Sequence, residues 1–155
     1  MNLLHDMQTA AVFRLFALGT VLGSSMAEGL AEMGLTSARA EVIWRLHQMG
    51  PMNQRQLSEA LQCSPRNVTG LVDALEEQGL VERRPHPTDR RAILVTLTTE
   101  GDTAGEEWTE GTQDLASDLF GEIPLAELEQ FVGTLDKILE KLGVERGQLP
   151  TRTGG

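Results

Sequence analysis

Apolar residues run almost without interruption from about residue 7 to residue 33, and Val12, Phe13, Leu15, Phe16, Leu18, Val21 and Leu22 cover most of a helical circumference. A helix that is apolar on every side has to be buried on more than one side. In a chain of 155 residues this predicts a subunit interface. Gly34 ends the segment, and Thr36 or Ser37 caps a second helix to about Met49, where Gly50-Pro51 stops it. Asn53 with Gln56 three residues on forms a capping pair that opens a short helix through Leu61. Ser64-Pro65 starts the next helix, with the serine oxygen as cap and proline at the first helical position. Its stripe is Val68, Leu71, Val72 and Leu75, and Gly79 ends it. Leu80 to Arg84 and Ala92 to Leu97 read as strands around the turn chemistry of Pro85-His86-Pro87-Thr88-Asp89, and so form a hairpin. Thr98 caps a long, acidic helix to about Phe120. Pro124 opens a last one, with Leu128, Phe131, Leu135, Ile138, Leu139 and Leu142 at helical spacing.

The expected class is therefore mainly α with a small β-hairpin wing (α+β). Helix, helix, short helix, Ser-Pro helix, strand, Arg-rich turn, strand is the order of a winged helix-turn-helix. On a wheel of residues 65–77 the apolar stripe takes one side, and Arg66, Asn67, Thr69, Gly70, Asp73 and Ala74 project from the other. Such a helix has an apolar back to seat it and a front of short polar groups. Its first turn, from Ser64 and Pro65 to Arg66 and Asn67, would enter the major groove, where Arg reads guanine and Asn adenine. Gly70 and Ala74 leave room for close approach, and Glu76 and Glu77 should stay clear of the phosphates. Gln54 and Arg55, at the start of the supporting helix, are candidate phosphate contacts, because helix N-termini favour phosphate. His86 in the wing is expected at the surface or facing phosphate, with Arg90 and Arg91 at the DNA. Arg83 and Arg84 read as a solvated strand edge in preference to direct contacts.

A net charge of −10 argues against a nucleic-acid partner until it is divided along the chain. Residues 1–52 carry 3 basic and 4 acidic side chains, residues 53–99 carry 6 of each, and residues 100–145 carry 2 basic and 13 acidic. The acidity sits in one segment, and four arginines lie between Arg83 and Arg91. An acidic protein can dock to DNA through a local basic edge, with weak non-specific binding. One cysteine, Cys63, excludes an intrachain disulfide and makes a reducing cytoplasm the expected location. No Lys or Arg precedes the first apolar residues, so no signal peptide is expected. Leu15 to Leu22 is too short to span a bilayer, and no membrane partner is expected.

Leu35-Thr36, the run from Ser64 through Leu75, Gly79-Leu80-Val81-Glu82-Arg83, the wing signature Asp89-Arg90-Arg91, and Val95-Thr96-Leu97-Thr98 with Gly101 together resemble the MarR family of regulators over about residues 7–142. The resemblance implies a homodimer whose first and last helices interlock, with both winged lobes on a pseudo-palindromic double-stranded operator. Residues 7–33 and 124–145 would then be the dimerisation region, with Val12, Phe13, Leu15, Phe131, Leu135, Ile138 and Leu142 at the interface. Residues 35–98 would be the DNA-binding lobe, 99–121 a connecting helix and 147–155 a disordered tail. It also implies that Arg91 reaches the minor groove and that Asp89 orients the wing. An Arg at a hairpin tip suits the negative potential of a narrow A·T-rich minor groove.

The family reading is a repressor of nearby genes relieved by a small ligand, often aromatic, or by oxidation. Phe16, Trp44, His47 and Trp108 are candidate walls of a ligand pocket, against the plainer reading that they are core. The oxidation-sensing branch places its cysteine in the first helix; here Cys63 lies at the turn before the Ser64 helix, with no Tyr to activate it. It reads as a small buried turn residue, with a thiol-responsive regulator as the alternative. His5, His47 and His86 are scattered, so neither metal nor cofactor is expected. No Ser-His-Asp, Cys-His or phosphate-loop spacing supports an enzyme. A winged-helix module for protein partners is the remaining rival, and a polar Arg/Asn/Thr front disfavours it.

Overall fold

The computed structural model describes residues 2–144. The tail expected at residues 147–155 lies outside them. Among the described residues six helices and one hairpin follow in the order α1 (Leu3–Glu32), α2 (Ser37–Met49), α3 (Gln54–Leu61), α4 (Pro65–Glu77), β1 (Val81–Pro85), β2 (Ile93–Leu97), α5 (Thr99–Phe120) and α6 (Leu125–Lys141). The chain divides into two compact units, Met1–Gly105 and Glu106–Gly155.

Local chemistry sets most of these boundaries. Asn2 caps α1, its side chain accepting from the His5 N–H at 3.4 Å, so the helix begins four residues before the apolar run predicts. Thr36 caps α2 through the Arg39 N–H. At α3 the Asn53 side chain accepts from the Gln56 N–H at 2.8 Å while the Gln56 side chain accepts from the Asn53 N–H at 2.9 Å, a complete capping box. Gln62 then turns the chain in the left-handed region at φ 51°, and Ser64 caps α4 through the Asn67 N–H.

The core of the first unit is aliphatic: Val42, Ile43, Leu46, Leu57, Val68, Val72, Leu75, Val81 and Val95 are buried, and they come from α2, α3, α4 and both strands. β1 and β2 pair antiparallel from Val81↔Leu97 to Pro85↔Ile93, so each strand starts one residue later than expected and β1 extends one residue further, to Pro85. Periodicity did not reveal that Met52 joins the hairpin: its N–H donates to the Val95 carbonyl at 3.1 Å and its carbonyl accepts from the Val95 N–H at 2.8 Å. This ties the loop before α3 to the wing, because one residue of extended backbone is enough to add a rung.

Thr98 joins three elements. Its hydroxyl donates to the Gly79 carbonyl at 2.7 Å and accepts from the Gly101 N–H at 3.1 Å, capping α5 and holding the turn into β1. Gly101 packs so close to that turn that a Cβ there would stand 1.9 Å from the Leu80 carbonyl oxygen. Backbone cannot swing aside as a long side chain can. Gly101→Ala is therefore expected to destabilise the chain by about 3 kcal/mol, read as a lower urea midpoint at fixed protein concentration with the slope unchanged. A midpoint equal to wild type would show that the turn yields freely.

α1 behaves differently from the core helices. Only Leu30 is buried, while Val12, Phe13 and Phe16 are exposed, Phe16 to 68%. Within the first unit, among the described residues, most of its apolar circumference is left uncovered. By length and composition the 30-residue α1 is also long and apolar enough to cross a membrane. A helix that packs against other protein meets the same criterion, so length and composition alone assign no membrane partner.

Candidate nucleic-acid interface

α4 is seated by its back and open at its front. Val68, Val72 and Leu75 are fully buried, and the helix packs against α2, α3 and β1. Ser64, Pro65, Arg66, Asn67, Thr69, Gly70 and Asp73 are exposed. They differ in how much of their polar capacity is already committed. The Thr69 hydroxyl donates to the Pro65 carbonyl at 3.0 Å and accepts from the Gln54 side-chain amide at 2.9 Å. Asp73 pairs with Arg83 at 2.5 Å. The Arg66 guanidinium and the Asn67 carboxamide make no hydrogen bond or ion pair to another of the described residues. On the front of α4 these two side chains are wholly uncommitted among the described residues.

Arg83 is where the structure departs most from the sequence reading. It is neither a solvated strand edge nor an outward contact: its side chain is 23% exposed and faces α4 and α3. One guanidinium nitrogen donates to Asp73 and another to Glu76, both at 2.5 Å, and the Gln54 side-chain oxygen accepts from Nε and Nη2 at 3.4 Å. The Arg83 backbone N–H also donates to Glu76. Partial burial pulls the Arg83 pKa down, but the hydrogen bonds and charges of Asp73 and Glu76 outweigh it and raise it above the usual value, so the group stays cationic. Gln54 is thus half-buried and engaged with Thr69 and Arg83, not free at the helix start as expected for a phosphate contact. Arg55 beside it is exposed and pairs with Glu59 at 3.2 Å, a surface pair of the kind that contributes little and exchanges partners readily. Arg84 pairs with Glu82 on the strand.

The wing turn is organised by His86. Its ring Nδ1 accepts from the Thr88 and Asp89 N–H groups, both at 3.2 Å, and the His86 backbone N–H donates to the Ala92 carbonyl at 3.0 Å. The half-buried ring therefore works first for the turn. The Asp89 carboxylate accepts from the Arg91 N–H at 3.0 Å, and the Ala92 N–H donates to the Asp89 carbonyl. Arg90 and Arg91 are exposed, and their guanidinium groups have no partner among the described residues.

The other sequence-predicted residues are not drawn together in this way. Phe16 is exposed, and Trp44, His47 and Trp108 are half-buried. Arg45 lies 5.1 Å over the Trp44 ring. His47 is bound through Nδ1 to Asp102 on α5 at 2.9 Å and packs against Gly105, where a Cβ would come within 2.9 Å of the ring. That partner lies 55 residues away, and no local pattern announces it. Cys63 is half-buried, not buried. Its carbonyl accepts from the Ser58 hydroxyl at 2.6 Å, and it lines a cleft of about 460 Å³ with Ala38, Glu41, Arg66, Asn67 and Leu71. Of the dimer candidates, Val12, Phe13, Leu15, Phe131 and Leu142 are exposed, and Leu135 and Ile138 are half-buried. Phe131 meets Phe120 with ring centroids 6.1 Å apart. Among the described residues no three of His, Cys, Asp and Glu gather as metal ligands would.

Residues 35–93, which run from just before α2 to the first residue of β2, match the MarR family model. The chain is 31% identical to the uncharacterised HTH-type transcriptional regulator YcgE of Bacillus subtilis, over 90% of this chain and 93% of that protein. It is 27% identical to the HTH-type transcriptional repressor MdtR of the same organism, over 99% and 97% of the two chains. The crystal structure of YusO from Bacillus subtilis superposes with a TM-score of 0.73 at 26% identity, covering 88% of this chain and 96% of that one. YcgE and MdtR are both named as HTH-type transcription regulators. The chain belongs to the MarR family of DNA-binding, winged helix-turn-helix transcription regulators.

Proposed function

We propose that this chain acts in the cytoplasm as a homodimer that recognises a pseudo-palindromic double-stranded operator and represses nearby genes until a small apolar or aromatic ligand releases it. The observation that carries the reading is the uneven commitment of the α4 front. Arg66 and Asn67 stand exposed and uncommitted on a helix whose back is locked into the core, beside a wing tipped by Arg90 and Arg91. Those are the groups that read base edges and phosphates. The open apolar surface of α1 supports a second copy as its cover, and the family relative named a repressor supports the sign of regulation. In the dimer the two α4 helices would sit roughly 34–36 Å apart, one turn of DNA.

The test is a fluorescence-anisotropy titration against DNA from upstream of the chain's own gene, with a random duplex of equal length, across several salt concentrations. Tight, salt-sensitive binding that favours the upstream duplex is expected. Equal affinity for both duplexes, together with no enrichment of any sequence from a random pool, would refute sequence-specific recognition.

A second reading rests on Cys63, which shares its cleft wall with Arg66 and Asn67. In that reading modification of the thiol displaces the first turn of α4. Labelling Cys63 with a thiol reagent should then abolish DNA binding, and full affinity after complete labelling would exclude it.

A further inference from the structure

α4 carries three acids, Asp73, Glu76 and Glu77, on a helix that the reading above brings up against phosphates. Bare carboxylates there would oppose docking, because like charges repel across a Debye length of about 10 Å at 0.1 M salt. Arg83 answers two of them at once. From β1 it reaches Asp73 and Glu76 on α4 and Gln54 on α3, and Gln54 passes the connection to Thr69, whose hydroxyl holds the Pro65 carbonyl. The chain of bonds thus runs from the wing strand to the first turn of α4, next to Arg66 and Asn67. Arg83 is also the wrong kind of arginine for touching DNA itself: its side chain is largely covered, unlike the exposed Arg66, Arg90 and Arg91.

We propose that Arg83 is a positioning residue for sequence reading: it neutralises Asp73 and Glu76 and fixes the orientation of α4 against α3 and the wing, so that Arg66 and Asn67 meet base edges in register. The inference rests on the DNA-reading function proposed above. It has two separable parts, charge and shape. A lysine retains the charge but has a single ammonium in place of a planar fork, and cannot span Asp73, Glu76 and Gln54 together.

The experiment uses the full-length protein, the duplex that the wild type enriches from a random pool, and a random duplex, at low and high salt. Arg83→Gln is expected to weaken binding to the enriched duplex about tenfold at low salt, with a smaller loss at high salt where the exposed repulsion is screened. Adding Asp73→Asn to that variant should recover much of the loss. Arg83→Lys should restore affinity for the random duplex but not the preference for the enriched one, and that split is a readout a merely structural role would not give. Should Arg83→Gln fail to fold, Asp73→Asn alone decides the matter: random-duplex affinity should rise and the preference should fall. Wild-type affinity and preference in folded Arg83→Gln, or an unchanged preference in Asp73→Asn, would overturn the proposal. Arg66→Ala is the internal control. If it loses the preference while Arg83→Gln keeps it, only the role of Arg83 falls; if the wild type enriches no sequence, the DNA-reading function falls with it.

Discussion

Arg66→Ala and Arg91→Ala are each expected to weaken operator binding by about 1–3 kcal/mol, and the losses should differ in kind. Arg66 sits in the first turn of α4 with its guanidinium uncommitted, so its removal should relax discrimination at one base position in each half-site. Arg91 stands at the wing tip, where the Asp89 carboxylate holds its backbone. Its removal should cost most on operators whose flanks are A·T-rich, because a narrow minor groove concentrates negative potential there. Acting in different grooves, the two losses should add within about 0.5 kcal/mol in the double variant. Competition titrations with operators changed one base pair at a time separate the two behaviours. If both single variants bound with wild-type affinity, the assignment of these arginines to DNA would be wrong.

Phe13→Glu is expected to abolish dimerisation and, with it, high-affinity binding to the palindrome. Phe13 is 67% exposed in the single chain, so the substitution should leave the fold of one copy intact. In the dimer the same side chain would be covered, and an unpaired buried carboxylate opposes association strongly. Leu135→Asp on α6 should act in the same direction. Size-exclusion chromatography with light scattering should report a mass near 16.9 kDa in place of twice that value. Retention of the dimer by both variants would mean that the cover for α1 comes from elsewhere. A monomer that bound the palindrome at full affinity would remove the need for a dimer altogether.

The elements that sequence reading located are those whose causes are local. The Asn53/Gln56 capping box and the Ser64-Pro65 start each need only three or four consecutive residues, and the structure places α3 and α4 at those points. The exposed front and buried back of α4 followed from its period alone. What escaped was long-range and polar. Arg83 reaches Gln54 across 29 positions and His47 reaches Asp102 across 55, and no periodicity links such pairs. Arg83 read as a strand-edge charge because a β-period assigns it a side of the hairpin but not what lies beyond that side. A signal did exist: Asp73 and Glu76 lie three apart on α4 and therefore on one face, an acidic pair that needs a cation. Gln54 reads as a phosphate contact from its position at a helix start, and the same lack of a local signal hides its two protein partners, Thr69 and Arg83. The apolar pattern starts α1 at about residue 7, whereas the Asn2 cap starts it at Leu3.

In the proposed complex the bonding of Thr69 would limit the operator's alphabet. With its single hydrogen already given to the Pro65 carbonyl and one lone pair taken by Gln54, this side chain has no proton to offer the N7 and O6 acceptors of guanine. What it could still show a base is one lone pair, able to accept from the amino group of adenine or cytosine, and a methyl group, whose natural counterpart in the major groove is the methyl of thymine.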